Sequence, residues 1–252
     1  IGYSVVLDKR VQIEKEVCKP FLTGKTIDRY GFVDKKEYMI YPYHLVDGKT
    51  RFYTEKELKS CFPKCLEYFA SMKDRLSSRG TESMKYPVWY ALWNSRNIDT
   101  LSSKKILTPD ICYGTSMYYD ESGYYYNDTA YGLILKEPDD VSYKAYLALL
   151  NSNVTWYYLQ KTGTSLRGGY FRFKTKYLEP FPLPDLKDND RNSLEKNATA
   201  LLEIKKQFNS AKTEADKSLL KQRAEIIDNQ INRLVYKLYG LSDEEIAVVE
   251  GK

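Results

Sequence analysis

The chain has 252 residues, of which 42% are hydrophobic and 29% charged, with a formal net charge of +5 at pH 7. This composition excludes a disordered tail, and neither a long apolar run nor a signal-peptide pattern is found, so we expect a globular, cytoplasmic protein with no membrane partner. The first residue is Ile rather than Met, which indicates a fragment of a longer polypeptide.

The first part of the chain mixes strand and helix signals. Residues 37–43 are typical of a strand ended by proline. Thr54 and Glu57 have the spacing of a capping box, which predicts that a helix begins there, and Pro63 favours the start of a second helix. Residues 104–114 predict a strand that a proline interrupts. This pattern predicts a mixed, strand-rich lobe.

Tyrosine is abundant, with 24 residues in the chain. Residues 116–128 predict a hairpin with Gly123 at the turn and tyrosines on both arms. Tyrosine suits half-buried strands, and it can also stack on nucleic-acid bases. We interpret most of these tyrosines as strand residues. After the hairpin, Asp139 or Asp140 is available as the N-cap of a helix.

The pattern changes after Pro184, where two apolar stripes with helical spacing predict a long antiparallel helical pair. The stripes are Leu194, Ala198, Leu201, Ile204 and Phe208, and Leu220, Ala224, Ile227, Ile231, Leu234 and Leu238. Ser242 and Glu245 have capping-box spacing and predict a last short helix. The sequence therefore predicts an α+β fold, with a strand-rich lobe at 1–184 and the helical pair at 185–252.

Charge is unevenly distributed. Residues 141–178 contain no acidic residue, and their basic residues are Lys144, Lys161, Arg167, Arg172, Lys174 and Lys176. Such a window favours a polyanionic partner, although a solvated basic face without a partner has the same composition. Within it, alternation predicts that Tyr170, Arg172, Lys174 and Lys176 share one strand face, with Phe171 and Phe173 opposite.

Catalytic motifs are not recognised in this sequence. It has neither a Rossmann glycine motif nor a P-loop, and one histidine is too few for a credible triad. Asp185, Glu203 and Lys205 match a nuclease pattern formally, but the latter two fall in a helical stripe on different faces. No Asn-Pro-Pro-aromatic or Asp-Pro-Pro-aromatic motif is present. We therefore expect no enzymatic activity from this chain alone.

Metal ligands are also not expected. The candidates are four cysteines and one histidine, and their spacing is not that of a zinc site. We expect reduced, mostly buried thiols and a structural histidine. These residues are Cys18, Cys61, Cys65, Cys112 and His44.

Taken in order, several segments resemble one family. The most specific is YLALLNSNVTWYYLQKTGTSLRGGYFRFKTKYLEPFPLP at 146–184, and others are KPFLTGKTIDRYGF at 19–32, CLEYFASMKDRLSSRG at 65–80 and EIIDNQINRLVYKLYGLSDEEIAVVEG at 225–251. The chain resembles the TaqI-like C-terminal specificity domain of N6-adenine DNA methyltransferases, as found in single-chain type IIG restriction-modification enzymes.

The resemblance implies that DNA recognition and catalysis lie in different domains of one polypeptide. An upstream methyltransferase domain of the same polypeptide would bind S-adenosylmethionine and methylate adenine, in some enzymes with a nuclease domain further upstream. This chain would hold no cofactor of its own and would bind double-stranded DNA to fix the position of the catalytic domain, which must flip its target base. The long helices would set the distance between the two lobes.

The candidate DNA-binding residues fall into two groups. Arg167, Tyr170, Arg172, Lys174 and Lys176 lie in the basic segment, and Arg96, Lys104 and Lys105 lie earlier in the chain. Arginine can pair with guanine through two hydrogen bonds, while lysine mainly supplies charge to phosphates. Three alternatives stay open: each residue can be an ordinary solvated charge, the chain can be a protein-interaction module with an incidental basic face, or it can be a complete enzyme with an unfamiliar site.

Overall fold

The computed structural model describes residues 1–81, 84–137 and 139–252. The strands in chain order are β1 (Gly2–Ser4), β2 (Lys9–Val11), β3 (Cys18–Leu22), β4 (Ile27–Asp28), β5 (Gly31–Phe32), β6 (Tyr38–Ile40), β7 (Tyr43–Val46), β8 (Lys49–Phe52), β9 (Lys105–Pro109), β10 (Ile111–Cys112), β11 (Tyr118–Asp120), β12 (Tyr125–Tyr126), β13 (Ala130–Leu133), β14 (Thr164–Leu166) and β15 (Tyr170–Arg172).

The helices in chain order are α1 (Glu55–Cys61), α2 (Pro63–Ala70), α3 (Lys73–Ser77), α4 (Ile98–Ser102), α5 (Asp140–Leu150), α6 (Asn153–Thr162), α7 (Thr175–Leu178), α8 (Asp188–Ser210), α9 (Glu214–Leu238) and α10 (Asp243–Glu250), and Lys15–Val17 form a 3₁₀ turn. Short strands thus alternate with helices before the two long helices, which confirms the predicted α+β class.

The chain forms two compact units. The first contains residues 1–21, 36–103 and 123–125, and the second contains 22–35, 104–122 and 126–252. Both the basic segment and the long helices belong to the second unit. The units therefore differ from the predicted ranges 1–184 and 185–252, because the long helices share a hydrophobic core with α5.

The first unit packs short antiparallel strand pairs on helices. β7 pairs with β8. Thr54 is the N-cap of α1, and its side chain accepts from the backbone N–H of Glu57 in the predicted capping box. α2 begins at Pro63, as predicted, because the first turn of a helix does not need that N–H. One core cluster of this unit contains the buried residues Val17, Leu58, Cys65, Phe69 and Tyr90.

In the second unit, β9 lies between β11 and β13 in an antiparallel sheet. The predicted hairpin at 116–128 is wrong, because β11 pairs with β9 while β12 belongs to a sheet with β3 and β6. Tyr119 on β11 is buried and stacks on Tyr143 of α5, with ring centroids 4.9 Å apart. The burial of Tyr119 against α5 therefore outweighs pairing between the two arms of the predicted hairpin. Gly123 still has the positive φ of +73° that is typical of a turn.

Helix α5 lies in the middle of the second core. Its buried residues are Tyr143, Ala145, Leu147, Ala148, Leu149 and Leu150, and a helix with this much apolar surface is typically enclosed by other elements. α8 and α9 supply Leu194, Ala198, Leu201 and Ile231 to the same core, and Ala224, Ile227, Leu234 and Leu238 pack against it, which confirms both predicted stripes. Val235, which was not predicted, is buried in the same core. Only residues 211–213 connect α8 to α9, so the two helices run antiparallel.

Buried asparagines fix the junction between α5 and α6. The Asn151 side chain accepts from the Met117 N–H at 2.9 Å and donates to the Met117 carbonyl at 3.0 Å. On the other side of the junction, Asn232 of α9 accepts from the Asn153 N–H at 2.8 Å. Asn153 is the first residue of α6, so α9 satisfies a backbone donor that the helix itself leaves unpaired.

The substitution Asn232→Ala tests this junction. It leaves the Asn153 N–H without its acceptor inside the protein, so we expect a loss of about 1–3 kcal/mol in the free energy of unfolding, measured by urea denaturation. Asn229→Ala is a matched control, because Asn229 is exposed on the same helix and the gain in helix propensity is identical. The control is expected to stay within about 0.5 kcal/mol of the parent, and equal losses in both variants contradict the anchoring role.

Candidate nucleic-acid interface

The basic segment forms a β-hairpin. β14 and β15 pair with Leu166 opposite Tyr170, which leaves Arg167, Gly168 and Gly169 as the turn. Gly168 and Gly169 have φ values of +83° and +78°, a region that glycine enters without the strain of a Cβ atom. β10 pairs with the other edge of β15, so the hairpin belongs to a three-stranded sheet in the order β10-β15-β14.

Exposed aromatic rings flank the glycine turn. Tyr170 is 47% exposed, and its ring centroid lies 5.9 Å from that of Tyr113, which is 70% exposed. A Cβ atom on Gly169 would lie 3.0 Å from the Tyr113 ring, so the glycine allows this close approach. The sequence prediction missed Tyr113, because it follows β10 and reaches the hairpin only through long-range strand pairing.

Apolar contacts hold the opposite face of β15 on the protein. Phe173 is fully buried, and Phe171 packs at the edge of the same core. The Trp156 ring of α6 lies 5.3 Å from Phe171 and 6.0 Å from Phe173. The predicted inward orientation of the two phenylalanines is confirmed, and Trp156 fixes the sheet on α6.

Arg172 has an acidic partner that the sequence did not indicate. Its Nε lies 2.9 Å from Oδ2 of Asp110, and the arginine side chain is 39% exposed while the aspartate side chain is 9% exposed. Tyr131 donates to the other Asp110 oxygen at 3.3 Å. The pairing of Ile111 with Arg172 brings the two side chains together, although they are far apart in sequence.

Lys174 and Lys176 do not continue the strand face predicted for them. β15 ends at Arg172, and the Lys174 carbonyl accepts from the Tyr177 N–H at 2.8 Å, which starts α7. Both lysines are exposed, and the Lys176 ammonium lies 4.6 Å from the centroid of the Tyr177 ring. Hydrogen bonds from Thr164 and Lys176 lower the pKa of Tyr177. The shared face therefore contains Tyr170 and Arg172 only.

The neighbouring lysines 104 and 105 have opposite environments. Lys105 is fully buried, with its Nζ 2.7 Å from Oδ2 of Asp120, so the prediction that it contacts DNA is corrected. Burial lowers the pKa of Lys105, and the ion pair with Asp120 opposes that shift. The correction arises because every residue of β9 is buried. Lys104 stays at the surface, where it pairs with Asp140 at 2.7 Å.

Arg96 belongs to the first unit, whereas the hairpin residues belong to the second. It is half-buried, and its carbonyl accepts from the Tyr41 hydroxyl at 2.6 Å. The next residue, Asn97, caps α4 by accepting from the Asp99 N–H. The structure thus gives Arg96 a defined backbone position within the first unit.

Within the described ranges, no group of three or more His, Cys, Asp and Glu side chains could hold a metal ion. The cysteines are free, and burial raises the pKa of Cys65 and of Cys112 to about 12. At neutral pH these two side chains are therefore thiols rather than the thiolates that bind metals. In the same ranges, no helix combines the length and apolar character that crossing a membrane requires.

Residues 19–183 match the family of the TaqI-like C-terminal specificity domain. This match covers more than half of the chain and includes the hairpin, its partner strand β10 and the core helices α5 and α6. The chain therefore belongs to the TaqI-like C-terminal specificity domain family.

Curated relatives are type II restriction-modification proteins. RM.Eco57I, a restriction enzyme and methyltransferase of Escherichia coli, is 24% identical over 94% of this chain and 26% of its own length. The methyltransferase M.BanIII of Aneurinibacillus aneurinilyticus is 24% identical over 73% of this chain and 32% of its own length. M.PaeR7I of Pseudomonas aeruginosa, also a methyltransferase, is 26% identical over 75% and 29%. The chain spans about a quarter to a third of these relatives.

The buried ion pair gives a stability prediction. Lys105→Met removes the ammonium group that pairs with the buried Asp120 carboxylate, so we expect a loss of about 3–5 kcal/mol in the free energy of unfolding, measured by denaturant titration. Adding Asp120→Leu removes that charge and is expected to restore much of the loss. Lys104→Met is the matched control, because the exposed pair with Asp140 is expected to contribute nothing measurable. Equal losses in the two single variants contradict the burial argument.

Proposed function

We propose that this chain is the double-stranded DNA recognition module of a type II restriction-modification protein that methylates adenine. The observation that carries the proposal is the exposed hairpin with a glycine turn, found inside a domain of the specificity family. It combines cationic and aromatic side chains on one accessible surface, as a module that grips DNA requires.

The two-stranded form and the side-chain chemistry of the hairpin suit a DNA groove. The major groove is about 12 Å wide and admits a two-stranded β-ribbon. Arg167 at the turn and Arg172 on β15 carry the planar donor groups that suit guanine or phosphate. Tyr170 adds a flat ring and a hydroxyl, while the exposed Lys174, Lys176 and Lys104 supply charge for phosphates.

Catalysis is assigned to the remainder of the longer protein. The chain has no Asn-Pro-Pro-aromatic or Asp-Pro-Pro-aromatic motif, and it spans about a quarter to a third of relatives that are named methyltransferases. Adenine methylation and its S-adenosylmethionine cofactor therefore belong outside these residues, and the chain positions that catalytic domain on its site. The shared core of α5, α8 and α9 supports this role. Because the hairpin and the long helices belong to the same compact unit, the helices can transmit the position of the hairpin to an attached domain.

The proposal predicts salt-dependent DNA binding. The affinity of the chain for a duplex should fall linearly on a logarithmic salt scale, with a slope of about −0.9 for each phosphate neutralised. The double substitution Arg167→Ala, Arg172→Ala should weaken binding and reduce that slope by about 1 for each arginine that contacts phosphate. Fluorescence anisotropy with a labelled duplex at several salt concentrations measures both quantities.

The matched control removes the same charge elsewhere. Arg223 and Arg233 are exposed on α9, so Arg223→Ala, Arg233→Ala changes the net charge equally but leaves the hairpin intact. We expect this control to bind nearly as tightly as the parent chain. Equal weakening in both double variants indicates non-specific attraction by net charge, and salt-independent binding or none at all favours a protein-interaction module instead.

A further inference from the structure

We propose that Asp110 is a positioning residue, which holds the Arg172 guanidinium ready to read a guanine base. The inference rests on the proposed DNA-binding function and extends it, because it separates the two hairpin arginines by role. Arg172 becomes the specificity-determining side chain, whereas Arg167 supplies charge at the turn.

The backbone around Asp110 is held on both sides. Its N–H donates to the Thr129 carbonyl at 2.9 Å, and its carbonyl accepts from the Phe173 N–H at 2.6 Å. Phe173 is fully buried and follows Arg172 directly, so the aspartate and the arginine start from fixed positions. The carboxylate itself is 9% exposed and lies between Arg172 and the Tyr131 hydroxyl. Asp110 is thus a rigid support rather than a mobile surface acid.

The ion pair engages one edge of the guanidinium. Nε of Arg172 is buried and lies 2.9 Å from Asp110, although its N–H does not point along the line of a hydrogen bond. Coulomb attraction at this distance does not depend on that angle. In the described part of the chain, the two terminal nitrogens of Arg172 have no hydrogen-bond partner, and the side chain is 39% exposed. Those two nitrogens form the planar fork that guanine accepts at O6 and N7.

The two arginines differ in how much order they have before binding. Arg167 is exposed at the turn and has no ion-pair partner among the described residues, so it loses rotamer freedom when it contacts a ligand. Arg172 has part of that freedom removed in advance by Asp110. Geometric discrimination between bases needs an ordered fork, whereas attraction to a phosphate needs only charge. The structure therefore favours Arg172 as the base reader.

Asp110 also has opposite effects on affinity and on specificity. Its negative charge repels the phosphate backbone, so its removal should not weaken non-specific binding. Its loss should instead free the Arg172 side chain and reduce discrimination at one base pair. A residue with a merely structural role would lower both properties, and at every position of the site together.

The test is selection of bound duplexes from a library with a randomised central segment, using the whole chain. The parent chain should enrich a site that contains a guanine whose preference disappears in Arg172→Ala. Asp110→Asn keeps the size of the side chain and removes its charge. It should lose roughly 5- to 150-fold preference at that same base pair, the range that one bidentate contact supplies. Its affinity for non-specific duplex should be unchanged or higher.

Two further variants keep the outcome decisive. Arg172→Lys retains the charge but not the planar fork, so it should lose the guanine preference while the salt slope stays the same. Tyr131→Phe removes the second contact to Asp110 and should keep the preference. An unchanged profile in Asp110→Asn, an even loss across all positions, or a retained preference in Arg172→Lys overturns the proposal. Salt-dependent binding that persists in these cases leaves the proposed DNA-binding function intact, whereas a parent chain that binds no duplex contradicts both.

Discussion

The fold of the second unit depends on the buried polar junction at Asn151. Its side chain bonds the Met117 backbone, and its carbonyl accepts from Arg29 at 2.5 Å and from Thr115 at 3.0 Å. These bonds join the end of α5 to segments that are distant in sequence, and a buried polar group left without them would destabilise the core. α6 begins just after this junction and carries Trp156, on which the hairpin sheet packs. The placement of the basic hairpin on the second unit therefore depends on the buried, uncharged side chain of Asn151.

Local signals in the sequence predicted local structure well. The capping boxes at Thr54 and Ser242 and the apolar stripes of α8 and α9 all correspond to observed elements, because a cap or a stripe depends on residues three or four positions apart. The predicted hairpin at 116–128 was wrong because its strands pair with segments that are distant in sequence. Its tyrosines could pair across Gly123, but Tyr119 gains more by packing on Tyr143 of α5, a contact that no short-range pattern encodes.

The candidate site was predictable in part. Alternation identified the faces of Tyr170 and Phe171, since a single strand edge determines them. It could not identify Lys105 as buried, because the strand that carries it is covered on both faces and its partner Asp120 lies on another strand. Tyr113 and Asp110 were missed because both reach the hairpin through the pairing of β10 with β15. Charge and periodicity thus indicate that a basic surface exists, while long-range strand pairing determines which residues lie on it.

The division of the chain into two units limits how its sequence can be exchanged with that of a related protein. The polypeptide passes from one unit to the other repeatedly, at residues 21–22, 35–36, 103–104, 122–123 and 125–126. Neither unit can be removed by cutting the chain once between residues 22 and 125, because both fragments then contain residues of both units. Recombination that keeps both units whole would have to exchange the residues up to 125 as one block. Point substitutions on exposed positions of the hairpin avoid that constraint, because they leave the connections between the two units unchanged.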